Sequence, residues 1–186
     1  MGLLEPDRYF SSLASIDVEW DLMRLHLRNV LLDIDNTLRR RDNDEVPPEV
    51  RSWLHTARQK GIKLCLLSNN FHDNVYELAQ ELAIPIVAKA MKPLPFGFRR
   101  ALEVVEGSAD DTVMVGDQLF TDVMGAHLIG MKAYLVRPLV EADLTHTFLV
   151  RRVEERVLGN AVPEGGACLQ EERASGEPVA FDHRCE

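Results

Sequence analysis

The sequence has few cysteines, fewer basic than acidic residues, and no long apolar run. Its three cysteines and six histidines are scattered along 186 residues, and none of their spacings resembles a zinc site. The 21 Lys and Arg residues against 30 Asp and Glu residues give a formal net charge of −9. That charge argues against a general affinity for nucleic acid. No apolar stretch approaches the length of a membrane span.

The first residues also lack the features of an export signal. Residues 1–7 have neither a basic start nor the long apolar region of a signal peptide. We therefore expect a cytoplasmic protein without a transmembrane segment. A local basic patch could still bring it to a membrane surface as a peripheral protein, despite the acidic total.

Strand-like and helix-like patterns alternate along most of the chain. The strand candidates are residues 29–34, 62–67, 85–88, 112–116 and 132–136, and the helical patterns lie at 47–60, 72–83, 94–106 and 120–129. Such alternation is typical of a parallel sheet with crossover helices. The sequence thus predicts an α/β fold of the Rossmann-like type, a three-layer α/β/α arrangement around a central parallel sheet.

The carboxyl-terminal part of the chain differs in composition. Residues 141–158 have the apolar spacing of a terminal amphipathic helix. Residues 159–186 are rich in Gly, Glu, Ala and Pro and have few large apolar groups, which predicts a disordered tail. We therefore expect one domain at 1–158, followed by the tail at 159–186.

The most informative feature is a pair of acids, Asp33 and Asp35, directly after an apolar run. At the strand period of two, both side chains leave the chain on the same side. Two like charges held so close repel each other unless a cation lies between them. Mg²⁺ suits this geometry because it binds through one or two carboxylates together with phosphate oxygens.

Three later segments place further polar groups at or near strand ends. Ser68 ends one strand pattern, Lys92 follows a second, and Asp117 with Asp122 follows a third. In an open parallel sheet, ligands bind at the carboxyl ends of the strands. We therefore expect these side chains to converge on one site.

In order and spacing, these residues resemble the four motifs of the haloacid dehalogenase (HAD) superfamily of phosphohydrolases. The first reads D-x-D-x-T from Asp33, the second is Ser68, the third is Lys92, and the fourth reads G-D-x-x-x-x-D from Gly116. The phrases D-N-T-L, S-N-N, K-A-M-K-P, G-D-Q-L-F-T-D-V and "RPLV…RRVEERVL" resemble, more narrowly, the bacterial YqeG family of subfamily IIIA phosphatases. This resemblance covers roughly residues 3–158.

The resemblance implies a role for each acid of the motifs. Asp33 would attack phosphorus and form an aspartyl-phosphate. Asp35 would be the general acid for the leaving oxygen and then the base for water. Mg²⁺ would be bound by Asp33, by the backbone carbonyl of Asp35, and by Asp117. Asp122 would orient a metal-bound water or pair with the lysine.

The remaining candidates would contact the substrate. Ser68 would donate a hydrogen bond to a phosphoryl oxygen, and Lys92 would offset the charge of the phosphate. Asn69 and Arg39 are further candidates for substrate binding. Ser68 could instead cap a helix, and Asn69 is a residue type common in turns. Lys89 could serve in place of Lys92, but only Lys92 precedes a proline as the family motif does.

Neither point at which HAD enzymes carry an inserted cap domain has room for one. Only 32 residues separate Asp35 from Ser68, and 23 separate Ser68 from Lys92. One helix with its loop or strand uses most of each interval. An uncapped site is open to bulky substrates, such as macromolecules or lipids, or borrows a lid from another subunit of a homo-oligomer.

Relatives of the YqeG family in fungi and plants dephosphorylate phosphatidylglycerophosphate, and the resemblance implies the same phospholipid reaction here. The basic run Arg39, Arg40 and Arg41 could then hold an anionic headgroup or a lipid surface, or could simply be a solvated loop. Three alternatives remain open: a phosphatase for soluble nucleotide or sugar phosphates, a phosphoprotein phosphatase, and a weakly catalytic interaction protein.

Overall fold

The computed structural model describes residues 2–40, 44–139, 157–159 and 161–165. Six strands form one sheet in which every neighbouring pair is parallel. They are β1 (Arg8–Phe10), β2 (Asn29–Leu32), β3 (Lys63–Leu67), β4 (Ile86–Val87), β5 (Thr112–Gly116) and β6 (Lys132–Val136). Their order across the sheet is β1-β6-β5-β2-β3-β4, so β2 lies inside the sheet with β3 and β5 as its neighbours.

In the part of the chain that the structure describes, four α-helices connect the strands. They are α1 (Pro48–Gln59), α2 (Asp73–Leu82), α3 (Pro95–Val105) and α4 (Met124–His127). Proline begins α1 and α3. Its fixed φ suits the first helical turn, and the N–H that it lacks would have no partner within the helix at that position. Before β2, the chain forms short 3-10 and π-helical turns between Leu13 and Leu25.

Alternate residues of the strands face opposite layers of helices. In β2, Val30 and Leu32 pack in a core with residues of α1 and α2, whereas Leu31 packs with residues of α3 and α4. Because both faces of the sheet are covered, the inner strands are continuous apolar runs rather than alternating ones. The predicted three-layer α/β/α arrangement is confirmed.

Some elements differ in detail from the sequence patterns. The edge strand β1 was not among the predicted strands, because three residues are too short to show a period. The predicted helix at 120–129 is a π-helical turn at Leu119–Val123 that continues directly into α4. In this turn the Val123 N–H donates to the Gln118 carbonyl (3.3 Å), five residues earlier.

Residues 161–165 lie against the edge of the sheet. The N–H of Glu164 donates to the Tyr9 carbonyl, and its carbonyl accepts from the Ser11 N–H, both at 2.8 Å. Phe10 and Glu164 thus form a parallel bridge beside β1. The predicted boundary between the domain and the tail, at residue 159, stays a prediction.

The rest of the predicted carboxyl-terminal structure falls largely outside the described residues. Of the predicted helix at 141–158, only Val157 and Leu158 are described, and both pack beside the core under α3 and α4. Cys168 and Cys185 also lie outside them. None of the helices that the structure describes is long and apolar enough to cross a membrane.

Candidate active site

Asp33 and Ser68 extend their strands by one hydrogen bond each. The Asp33 N–H donates to the Val115 carbonyl of β5 (2.9 Å), and the Ser68 N–H donates to the Val87 carbonyl of β4 (3.1 Å). Both backbones are therefore held by the sheet at its carboxyl edge. The Ser68 hydroxyl oxygen accepts a hydrogen bond from the Asn70 N–H (3.1 Å), so its own hydrogen is available for donation.

The ammonium group of Lys92 joins two buried carboxylates at this edge. Its Nζ donates to Asp122 Oδ1 (2.7 Å) and to Asp33 Oδ1. The side chains of Lys92, Asp122 and Asp33 are only 3%, 2% and 10% exposed. Buried charges are stable only when paired, so these three groups depend on one another.

Asp117 adds a third carboxylate to the cluster. Oxygens of Asp33, Asp117 and Asp122 all lie within 4.8 Å of one another. Asp117 Oδ1 is buried and has no hydrogen-bond partner among the described residues. One lysine cannot neutralise three carboxylates, so the donor set and the unpartnered oxygen fit a small divalent cation that binds through oxygen.

The pKa values reflect this crowding. Burial raises the pKa of Asp33 to about 7, and the charge of Asp122 acts in the same direction, while Lys92 opposes both. Burial, and then the charges of Asp33 and Asp122, hold the pKa of Asp117 well above its ordinary value. Burial alone would lower the pKa of Lys92, but Asp122 and Asp33 raise it, so the lysine stays charged. A second cation would favour the ionised carboxylates.

Gly116 is required by the close approach of the Asp122 carboxylate. A Cβ atom at this position would lie 2.3 Å from Asp122 Oδ2. That oxygen accepts a hydrogen bond from the Gln118 N–H (3.1 Å), and the other oxygen binds Lys92. Both oxygens of Asp122 are therefore engaged.

A family model for haloacid dehalogenase-like hydrolases matches residues 13–130, more than half of the chain. The chain belongs to this family. It is also 34% identical over 153 residues to a probable phosphatase, YqeG, of Bacillus subtilis, which covers 82% of this chain and 88% of that protein. It is 34% identical over 98 residues to a phosphoserine phosphatase of Thermus thermophilus, which covers 48% of this chain and 39% of that protein. The predicted resemblance is confirmed, and the chain is a HAD-type phosphatase.

A solved structure from the family shares the fold. The deoxy-D-mannose-octulosonate 8-phosphate phosphatase (YrbI) of Haemophilus influenzae superposes with a TM-score of 0.50 and 13% identity, over 73% of this chain and 90% of that one. At this identity, the likeness shows the fold alone. The predicted HAD fold is thus confirmed.

This HAD-like hydrolase has no cap domain in the stretches that the structure describes. Between Asp35 and Ser68 the described residues, 36–40 and 44–67, form α1, β3 and short connections. Between Ser68 and Lys92 they form α2 and β4.

The predicted substrate residue Asn69 is bound to the backbone of Lys92. Its Oδ1 accepts from the Lys92 N–H (2.6 Å), and its Nδ2 donates to the Lys92 carbonyl (3.1 Å). This pair of bonds connects the loops after β3 and β4. The sequence carries no signal for it, because an asparagine after a strand is an ordinary turn residue.

The sequence allows two environments for residues 39–41, a surface that holds an anionic headgroup and a solvated loop, and Arg39 lies in neither. The residue is 4% exposed, and its Nε and Nη2 donate to Asp35 Oδ1 at 3.1 and 2.9 Å. Its Nη1 lies 3.1 Å from Asp44 Oδ1. A buried guanidinium between two carboxylates is not placed to touch a lipid surface. Arg41 lies outside the described residues.

The structure thus brings together Asp33, Lys92, Asp117 and Asp122 in one cluster. Sequence reasoning did not single out Asn36, which lies at a positive φ of 63° directly after Asp35, the second acid of the first motif. Its Oδ1 is buried without a partner among the described residues, as is Thr37 Oγ1. The roles of individual site residues remain predictions.

Proposed function

We propose that the enzyme hydrolyses phosphomonoesters through an aspartyl-phosphate on Asp33, with Mg²⁺ as cofactor. The observation that carries this proposal is the group of three carboxylates with one lysine and an unpartnered, buried oxygen on Asp117. When bound, Mg²⁺ would supply positive charge to a phosphoryl group and to the attacking carboxylate, which otherwise repel each other.

Asp33 and Asp117 are the side chains that we assign to the cation, together with the backbone carbonyl of Asp35. Asp122 lies in the cluster but is a weaker candidate for a cation ligand. Lys92 and the Gln118 N–H already donate hydrogen bonds to its two carboxylate oxygens. We assign to Asp122 the role of holding the Lys92 ammonium beside Asp33. Lys92 and the Ser68 hydroxyl would then bind phosphoryl oxygens.

In the first step, an Asp33 carboxylate oxygen attacks phosphorus and the bond from phosphorus to the ester oxygen breaks. Asp35 gives its proton to the departing oxygen. In the second step, Asp35 takes a proton from water, the water oxygen attacks phosphorus, and inorganic phosphate leaves with Asp33 restored. Of the two carboxylate oxygens of Asp35, it is Oδ1 that accepts the hydrogen bonds from Arg39. We assign the proton transfers to Oδ2.

For the substrate, we propose the phosphomonoester headgroup of phosphatidylglycerophosphate, reached from the cytoplasmic side of a membrane. The similarity to the YqeG family supports this, as does a site with no cap among the described residues, since a lipid headgroup in a bilayer needs an open approach. A soluble nucleotide or sugar phosphate is the second candidate, and it would use the same catalytic groups.

Phosphate release from phosphatidylglycerophosphate in mixed micelles, with and without Mg²⁺, tests the proposal beside a panel of soluble phosphomonoesters. Asp33→Asn should abolish release, whereas Asp110→Asn, an exposed acid in the turn before β5, should leave it unchanged. A preference for the lipid supports the assigned substrate. A preference for a soluble ester contradicts it but keeps the reaction, and no release from any ester contradicts both.

A further inference from the structure

Four large apolar side chains are exposed beside the candidate active site. Phe71, Met91, Leu94 and Phe96 are 57%, 47%, 55% and 62% exposed. They lie in the loop after β3, in the loop after β4, and in the first turn of α3. These segments adjoin the residues assigned to phosphate binding. We call these four side chains the apolar rim.

Hydrogen bonds hold together the two loops that carry Phe71, Met91 and Leu94. Besides the two bonds between Asn69 and Lys92, the Lys89 N–H donates to the Asn70 carbonyl at 3.2 Å. The Lys89 ammonium lies 5.7 Å from the centre of the Phe71 ring. Phe71 of one loop therefore lies beside the other loop.

Buried and exposed side chains alternate along the loop after β4. Ala90 and Lys92 are buried, whereas Met91 between them is exposed. Lys89 and Met91 both have positive φ angles, 52° and 55°, which non-glycine residues rarely adopt. The same backbone that buries the Lys92 ammonium beside Asp33 thus presents Met91 to the outside, and such conformations cluster at functional segments.

Exposed cations lie on the segments that carry the apolar rim, although the whole chain has a net charge of −9. Lys89 lies beside Phe71. Arg99 and Arg100 follow Phe96 by three and four residues on α3, so they share its helical face, and both are exposed. Exposed acids lie on the helices as well: Asp73 and Glu77 on α2, and Glu103 on α3. Apolar groups flanked by Lys and Arg are the combination that binds at the surface of anionic membranes.

We propose that the apolar rim docks on an anionic phospholipid bilayer. Phe71, Met91, Leu94 and Phe96 enter the boundary between headgroups and acyl chains, and the flanking cations contact lipid phosphates. This rests on the proposed function, because the rim borders the same site, and it names the bilayer as the partner of that site. The exposed residues of the apolar rim, rather than the buried Arg39, then make the membrane contact.

A second copy of the chain fits this surface less well. In a symmetric dimer, the same patch meets itself. Rim-to-rim contact would bring Lys89, Arg99 and Arg100 of one copy close to the same cations of the other, and like charges across an interface oppose association. A bilayer with anionic headgroups supplies the opposite charge instead.

Sedimentation of the full chain with vesicles tests the proposal, using phosphatidylcholine with and without phosphatidylglycerol. The double variant Phe71→Ser/Phe96→Ser should bind anionic vesicles at least about tenfold more weakly. Lys89→Ser should bind about fivefold more weakly. The control Val104→Ser/Leu128→Ser removes two exposed apolar side chains elsewhere and should bind as the wild type does. All variants should hydrolyse p-nitrophenyl phosphate at the wild-type rate.

Two readouts keep this proposal separate from the proposed function. A wild-type chain that cleaves p-nitrophenyl phosphate but does not bind vesicles overturns the docking surface and leaves the phosphatase assignment intact. Equal vesicle binding by Phe71→Ser/Phe96→Ser and by the control Val104→Ser/Leu128→Ser also overturns the docking surface. Binding through the rim without cleavage of any phosphomonoester supports docking and contradicts the function. A wild-type dimer that the rim variant dissociates, with no vesicle binding, assigns the surface to a second copy.

Discussion

The side-chain amide of Asn69 forms two hydrogen bonds with the backbone of Lys92: it accepts one from the Lys92 N–H at 2.6 Å and donates one to the Lys92 carbonyl at 3.1 Å. The buried ammonium of Lys92 reaches Asp33 from this fixed point. Asn69 is therefore placed to position the lysine, a role that differs from the substrate contact expected from the sequence.

Asn69→Ala should lower kcat by about tenfold to 100-fold, because a small displacement of Lys92 misplaces its charge at the reacting phosphate. KM should change less. Steady-state kinetics on one soluble phosphomonoester measures both. Asn70→Ala, which removes a neighbouring amide bonded to the His72 N–H, is the matched control. A rise in KM at constant kcat would instead support direct substrate binding by Asn69.

Lys92→Met should abolish activity and destabilise the protein in EDTA by about 3 to 5 kcal/mol, because it leaves Asp33 and Asp122 as buried carboxylates without their cation. Added Mg²⁺ should restore part of the stability. Urea unfolding with and without Mg²⁺ measures this. Lys89→Met, at the rival lysine, should leave activity on a soluble ester intact. If the two variants behaved alike, the assignment of Lys92 to the site would be wrong.

Asp117→Asn should make the metal-free protein more stable while it abolishes activity. Burial and the charges of Asp33 and Asp122 raise the pKa of Asp117, so its ionised form is unfavourable in the folded state. A neutral amide relieves that repulsion, and we expect the Tm in EDTA to rise by roughly 2 to 4 °C. The rise in Tm that Mg²⁺ gives the wild type should disappear. An unchanged response to Mg²⁺ would exclude Asp117 as a ligand.

Glu164→Ala should destabilise the fold by about 3 kcal/mol, because it deprives the largely buried Arg8, whose side chain is 12% exposed, of one of its two carboxylate partners. The other partner, Asp21, lies at 2.7 Å. Urea unfolding measures the loss. Glu106→Ala breaks an exposed ion pair with Lys63 and should have no measurable effect. A similar result for both variants would contradict a structural role for residues 161–165.

His127 should stabilise the protein below about pH 6.5 and less above it. Its ring nitrogens lie 3.0 Å from the Leu3 carbonyl and from Asp7 Oδ2, so both must donate, which requires the charged ring. The bond to Asp7 raises the pKa of His127 in the folded state, although burial opposes it. The stabilisation is therefore complete below the pKa of the unfolded chain, about 6.5. It is lost as pH rises through the higher folded pKa.

Thermal unfolding from pH 6 to 9 measures this contribution as the difference in Tm between the wild type and His127→Gln. That difference should shrink as pH rises. His55→Gln, at an exposed histidine of α1, is the control and should follow the wild type throughout. A difference that stayed constant with pH would show that the ring acts through packing alone.

Much of the fold follows from local patterns in the sequence. Val30 and Leu31, like Val113 and Met114, belong to runs that are buried on both faces, and such runs predict strands of a covered parallel sheet. Polar residues directly after those runs, such as Asp33, predict a site at the carboxyl edge. These features depend on neighbours within a few residues, so a single sequence is enough to find them.

Contacts between distant residues could not be predicted in this way. Arg8 binds Glu164 across 156 residues, and Asn69 binds Lys92 across 23. Neither pair has a periodic pattern, because each depends on where whole strands and loops lie after folding. The short edge strand β1 gains its stability from β6 rather than from its own three residues.

By itself, the sequence determined the order of the motifs, the α/β class and the intervals too short for a cap, since these depend on residue type and spacing. Only the tertiary structure decided which charges meet. It buries Arg39 on Asp35 and surrounds Lys92 with acids, while it leaves Phe96 exposed. Burial and charge pairing are properties of the packed chain, because each depends on every element that covers the residue.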